Sequence, residues 1–187
     1  MFARTSKALA RLNEMFRVGD VHKTYWAIVP RMEKPAPFHL PRGGEISDSI
    51  DVSKDSLPRE GGDGAGTLLT HWIVRNEKQN KSYAYDHEVK DSKKAQLRYK
   101  ILAHSDRYTL VEVQLYTGRH HQIRCQLSKI GYPIKGDLKY GSPRSNKDGS
   151  ICLLSRYMEF VHPVSKETIK VTAPLPEDAL WQAFKNV

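Results

Sequence analysis

The spacing of apolar residues switches between helical and alternating along this 187-residue chain, and each switch marks an element. Leu9, Leu12 and Phe16 fall at helical spacing behind Thr5 or Ser6, either of which can cap a helix, and Gly19 ends the run. TYWAIVPR then reads as a strand, because β-branched and aromatic side chains suit a pleated surface. Pro35, Pro37 and Pro41 break regular structure, and Gly43-Gly44 turns the chain. TLLTHWIV and KSYAYDHEV flank the polar RNEKQN and predict a hairpin. AQLRYKILAH and RYTLVEVQLY flank Ser105-Asp106 and predict another. In its second strand Val111, Val113 and Leu115 point to one face and Glu112 and Gln114 to the other, the pattern of a half-buried strand.

Helical spacing returns after Thr117-Gly118, where Ile123, Leu127 and Ile130 make a stripe closed by Gly131. The polar loop SPRSNKDGS leads into ICLLSRYMEF and TIKVTAP, two further strands. PEDALWQAF is acidic in its first turn and carries Leu180 and Phe184 at i, i+4, so a terminal docking helix is predicted. There is no internal repeat. Hairpins mixed with a few helices give an α+β fold with a mixed, mainly antiparallel β-sheet and flanking helices. One domain, residues 1–187, accommodates the whole length. The segment 53–66, SKDSLPREGGDGAG, is expected to be a flexible loop insertion, being almost free of apolar residues and followed at once by strand patterns.

Composition narrows the partner. Thirty Lys and Arg against 21 acidic residues give a formal charge of +9, which points to a polyanion. Cys125 and Cys152 lie far apart and in no metal-ligand spacing, so neither a disulfide framework nor a zinc site is indicated, and a reducing cytoplasm suits them. No apolar run reaches the length of a membrane span, and the N-terminus lacks a signal peptide's apolar core, so a soluble cytoplasmic protein is expected. The basic, hydroxylated MFARTSKALARL faintly resembles an organelle presequence until Glu14 and Asp20 interrupt it. A DNA-binding module is disfavoured, since there is no helix-turn-helix pattern, zinc-finger spacing or basic heptad helix.

The candidate chemistry concentrates in YTGRHHQIRCQLSKIGYPIKGD, residues 116–137. On a helical wheel Arg124 sits beside Leu127 at the edge of the buried stripe, with His120 one turn earlier. A half-buried guanidinium there needs an anionic partner or several carbonyls. Arg119 begins the same helix, where its charge opposes the helix dipole, and contact with phosphate or carboxylate explains it better than helix stability does. The alternative stays open that Arg119, His120, His121 and Gln122 merely satisfy backbone groups at a turn.

TGRHHQIR followed by GYPIKGDLKYG resembles the central motif of the RluA-like pseudouridine synthases, in which T-G-R-x-H-Q-I-R opens a helix and G-x-P-I-x-G-D-x-x-Y-G follows. FARTSKALARLNEMFR with HKTYWAIV, then KKAQLRYKIL, then LLSRYMEFVHPVSKETIKVTAPLP agree with that family in the same order. The resemblance implies a pseudouridine synthase catalytic fold and isomerisation of a specific uridine in ribosomal or transfer RNA, with no cofactor and no metal. It implies a flipped-out target base, at a cost of a few kcal/mol that phosphate contacts offset. It also assigns roles. Tyr25 packs on the flipped base and assists proton transfer, Arg124 pairs with the catalytic aspartate, and Leu154 lines the uracil pocket. Lys23, Arg119, His120, His121 and Gln122 are expected to contact RNA.

One departure accompanies these agreements. The family's nucleophile lies in H-R-L-D-x-x-T-S-G, and no HRLD occurs in the sequence. Among the aspartates, Asp20, Asp48, Asp51, Asp86, Asp106 and Asp137 lack that motif around them. The resemblance therefore implies an N-terminally truncated catalytic domain, inactive as it stands, with a non-catalytic RNA-binding remnant as the alternative. In either case Arg124 is expected near Tyr25 and Leu154, capped by a carbonyl, an ordered anion, a neighbouring molecule in a crystal, or solvent. The lost strands are expected to leave a sheet edge open to self-association.

Overall fold

The computed structural model describes residues 5–32 and 66–187, so the predicted 53–66 loop lies outside the described residues except for Gly66. Helix α1 (Ser6–Val18) starts where the Thr5 hydroxyl accepts the Ala8 N–H at 3.2 Å and ends at Gly19, whose left-handed φ of 89° lets its N–H reach Met15 O. The helix forms where its spacing predicted, but Leu9 and Phe16 remain 51% and 40% exposed, so its stripe is not part of the core.

Seven strands follow: β1 (His22–Pro30), β2 (Thr67–Asn76), β3 (Lys81–Tyr85), β4 (Lys93–His104), β5 (Tyr108–Leu115), β6 (Leu153–Val161) and β7 (Thr168–Thr172). They form one sheet in the order β3-β2-β4-β5-β1-β6-β7. Among the described residues every pairing is antiparallel, in keeping with the mainly antiparallel sheet that was expected. Hairpins join β2 to β3, β4 to β5 and β6 to β7, and a parallel neighbour would require a long crossover instead. The fold is α+β, as predicted.

Register separates two faces. On one, His71 faces Ala95, Leu97 faces Leu115, and Tyr99, Val113, Tyr25 and Ser155 follow one another across β4, β5, β1 and β6. Helix α2 (Gln122–Lys129) covers this face, burying Ile123 and Leu127 in a core shared with Leu97 and Val113. Gly131 closes α2 as its position predicted, with φ 88° and the Tyr132 N–H on Leu127 O at 2.9 Å. The chain then returns to the sheet, where the Lys135 N–H donates to Ile28 O and the Cys152 N–H to Lys135 O, each at 2.9 Å. A 3-10 turn (Leu138–Tyr140) follows. The last helix, α3 (Ala179–Gln182), is a single turn capped by Asp178. It buries Trp181, while Phe184 is buried just beyond its end and Leu180 is only half-buried, because so short a helix cannot present the predicted i, i+4 pair. Among the described residues no helix is long and apolar enough to cross a membrane.

Candidate functional site

Three segments converge at the start of α2: the β2–β3 hairpin with Asn80 in its turn and Ser82 on β3, the run Thr117 to Arg124, and the turn Asp137 to Tyr140. Gln122 organises the first contact with the sheet. Its Oε1 accepts the Thr117 hydroxyl at 2.8 Å and the Arg119 N–H at 2.9 Å, while its Nε2 donates to Gln96 O at 3.0 Å. Gln122 is buried, and its side chain satisfies backbone and hydroxyl groups at the turn as the backbone-satisfying alternative describes. Arg119 is exposed; its Nε donates to Lys94 O at 3.1 Å.

His121 precedes the helix with a left-handed φ of 51°, a conformation costly for a residue with a β-carbon and sustained here by contacts on both ring nitrogens. Arg124 Nη1 lies 3.1 Å from Nε2, and a guanidinium can only donate, so Nε2 accepts. The ring proton therefore sits on Nδ1 and donates to the Tyr140 hydroxyl at 3.0 Å, a tautomer assigned from the hydrogen bonds. Burial, reinforced by the charge of Arg124, pushes the His121 pKa down to about 4, so the ring is neutral near pH 7. It stacks on His120 with centroids 3.8 Å apart. His120 lies against Asn80 Oδ1 through Nε2 at 3.1 Å and against the Ser82 hydroxyl through Nδ1 at 2.9 Å. Its pKa is lowered too, first by burial and then by the surrounding cations.

Arg124 meets the carboxylate that its half-buried position demands, but from within the chain. Nε and Nη2 form parallel 2.7 Å hydrogen bonds to the two oxygens of Asp137, whose side chain is 1% exposed against 20% for Arg124. This corrects the expectation that a carbonyl, an ordered ion, a neighbouring molecule or solvent caps it. The Asp137 hydrogen bonds raise the guanidinium pKa further, and its plane rests 4.8 Å from the centre of the Tyr140 ring. Of five N–H donors three are used by Asp137 and His121, which leaves two for an incoming acceptor among the described residues.

The other expected site residues sit on the central strands. Tyr25 is half-buried on the face that α2 covers, opposite Val113 and Ser155. Leu154 is paired with Trp26 and so points to the opposite face, and the register corrects the expectation that it shares a pocket with Tyr25. Lys23 is half-buried with its ammonium 4.5 Å from the centre of the Phe16 ring, and desolvation lowers its pKa. No hydrogen bond or ring contact joins Arg124 to Tyr25 among the described residues. Asp137, Tyr140, Ser82 and Asn80 were not expected in this network, although Asp137 and Tyr140 belong to the quoted G-D-x-x-Y-G stretch. Among the described residues no cluster of three or more His, Cys, Asp or Glu side chains is placed to hold a metal.

The antiparallel sheet with its covering helix is the fold of pseudouridylate synthase domains: the solved structure of Human RNA Pseudouridylate Synthase Domain Containing 1 superposes with a TM-score of 0.63 at 21% identity, over 97% of this chain and 65% of that one. Residues 1–129 match the RNA pseudouridylate synthase family model, and the chain belongs to that family. Ribosomal large subunit pseudouridine synthase D of Xanthomonas campestris is 30% identical over 190 aligned positions, covering 94% of this chain and 47% of that protein. The uncharacterized RNA pseudouridine synthase YjbO of Bacillus subtilis is 40% identical over 88 positions, covering 47% of this chain and 31% of that protein. The chain thus spans half or less of the length of these two curated relatives.

Proposed function

We propose that this chain is the RNA-holding and uridine-positioning part of an RNA pseudouridine synthase that isomerises a specific uridine in ribosomal or transfer RNA, in the cytoplasm and without cofactor or metal. The family match carries this proposal, because the matched residues 1–129 include both Tyr25 and Arg124. In the proposed mechanism Tyr25 packs against the flipped base. Arg124, clamped on one side by Asp137 and His121, offers its two remaining N–H groups to the nucleophilic carboxylate or to the substrate. Arg119, His120, His121 and Lys23 face RNA around it. The name of the Xanthomonas relative favours ribosomal RNA as substrate.

A second reading, a non-catalytic RNA-binding remnant, draws support from one observation. Asp137 satisfies Arg124 inside the chain, so retaining that arginine costs no unpaired buried charge when a nucleophile is absent. Mapping pseudouridines in ribosomal and transfer RNA from cells with and without the gene decides between them. Loss of one pseudouridine on deletion supports the synthase and identifies its target. Unchanged maps favour the remnant.

A further inference from the structure

The face of the sheet turned away from α2 and Tyr25 carries large aromatic side chains that pack into no core. Across β3, β2 and β4, Tyr85, Trp72 and Lys94 follow one another, and Tyr83 stands opposite Val74. One step further, Arg98 lies between Leu68 and Gln114, and Tyr116 follows β5 with its N–H on Gln96 O at 3.1 Å. Tyr83 and Tyr85 are each 38% exposed and Tyr116 is 56% exposed. Trp72 is half-buried, and none of these four rings belongs to the hydrophobic clusters of the described residues. Rings left this open on a sheet commonly meet a partner.

The charges on the same face identify the partner's chemistry. Strands β2 to β5 contain one carboxylate, Glu112, and it is already engaged by Lys100 Nζ at 3.0 Å and by Trp26 Nε1 at 3.4 Å. Lys94 and Arg98 therefore stand without an acidic competitor on these strands. The Nε of Arg98 is buried and has no hydrogen-bond partner among the described residues. Arg119, anchored through Nε on Lys94 O, sits at the rim.

We propose that this face binds an unpaired RNA segment, stacking bases on Trp72, Tyr83, Tyr85 and Tyr116 and taking phosphates on Lys94 and Arg98. The RNA class rests on the function proposed above; the face itself rests on the arrangement of aromatic and basic side chains. Tyr83 and Tyr85, two residues apart on one strand, are separated by about 6.7 Å, roughly twice the ~3.4 Å charge spacing along one strand of a duplex. Bases splayed onto aromatic rings need such spacing, and a duplex, whose bases are already stacked, cannot supply them.

Tryptophan fluorescence reports directly on this face. Of the three tryptophans, Trp26 and Trp181 are 3% and 5% exposed, which leaves Trp72 as the one within reach of a base. The 187-residue chain is titrated with a fluorescein-labelled ten-nucleotide oligouridylate, and with a duplex of equal length, following anisotropy and tryptophan quenching. Quenching is expected with the single strand and is abolished by Trp72→Leu. The double variant Tyr83→Thr/Tyr85→Thr keeps β-forming side chains, is checked by circular dichroism, and binds at least about fivefold more weakly, as loss of base stacking requires. Lys94→Ala lowers the slope of log K against log salt by about 0.7. Single-strand binding that neither quenches Trp72 nor responds to the tyrosine variants overturns this face while leaving the proposed function standing. Absence of RNA binding of any kind overturns both, and preference for the duplex overturns the stacking.

Discussion

Replacing Asp137 by Asn removes the charge from the buried partner of Arg124 while keeping its size, and the consequence can be worked from the geometry. Two 2.7 Å charge-assisted hydrogen bonds are weakened, and Arg124 is left facing a neutral amide. Breaking a buried ion pair from one side typically costs about 3–5 kcal/mol. Arg124 retains 20% of its side-chain exposure, so water can take up part of the lost interaction, and about 3 kcal/mol, the lower end, is expected. For a chain of this length that lowers Tm by roughly 6–12 °C. Thermal or denaturant unfolding of wild type, Asp137→Asn, Arg124→Met and the double variant closes a cycle, in which the double variant should be less destabilised than the sum of the singles. The arginine variant removes the charge that Asp137 no longer neutralises, so the second substitution adds little to the first. Strict additivity, or an Asp137→Asn cost below about 1 kcal/mol, would refute the claim that this carboxylate holds the guanidinium.

Four further outcomes are expected. Because the His121 pKa falls to about 4 in the folded chain from an unfolded value near 6.5, its stabilising contribution is full above pH 6.5 and is lost as pH falls through that window. After discounting for solvent at the ring, denaturant titrations should show a loss on the order of 1 kcal/mol from this group, absent in His121→Gln. Gln122→Ala leaves part-buried groups of the Thr117 to Arg119 turn and of Gln96 without their partner and should cost on the order of 1–2 kcal/mol in urea melts. Gly136→Ala places a β-carbon 2.6 Å from Ser150 O at a φ of 89°, and should lower stability by at least about 2 kcal/mol, read as a Tm shift by calorimetry. Tritium release from RNA labelled at uracil C5 should stay at the no-protein blank for these 187 residues, which contain no HRLD; release above the blank would require a nucleophile among the aspartates present.

Much of the architecture was legible because its signals are local. Alternation in β5, the cap at Thr5, and the glycines that end α1 and α2 each act within a few residues, and the structure places those elements where the spacing put them. The resemblance of TGRHHQIR and GYPIKGDLKYG to a known family was legible for the same reason, since a motif is a contiguous string. The terminal helix was misread in detail because a single turn ends before its i, i+4 partner.

The sequence by itself determined the alternation that makes the strands, the caps that bound the helices, the basic excess and the family motif. Only the tertiary structure decided which side chains meet. Asp137 lies 13 positions from Arg124 and beyond the end of its helix, so no helical wheel could pair them, and the segment that brings it back is tied to β1 by the Lys135 N–H on Ile28 O, with Ile134 buried in the core. Ser82 and His120 are 38 positions apart and meet because the β2–β3 hairpin packs beneath α2. Leu154 was assigned to the face of Tyr25 by motif, and the pairing of β6 with β1 put it on the other, because a one-residue difference in register reverses the face of a side chain. Register is fixed by how whole strands bury their apolar sides together, and that is a property of the assembled sheet, beyond the reach of any one segment.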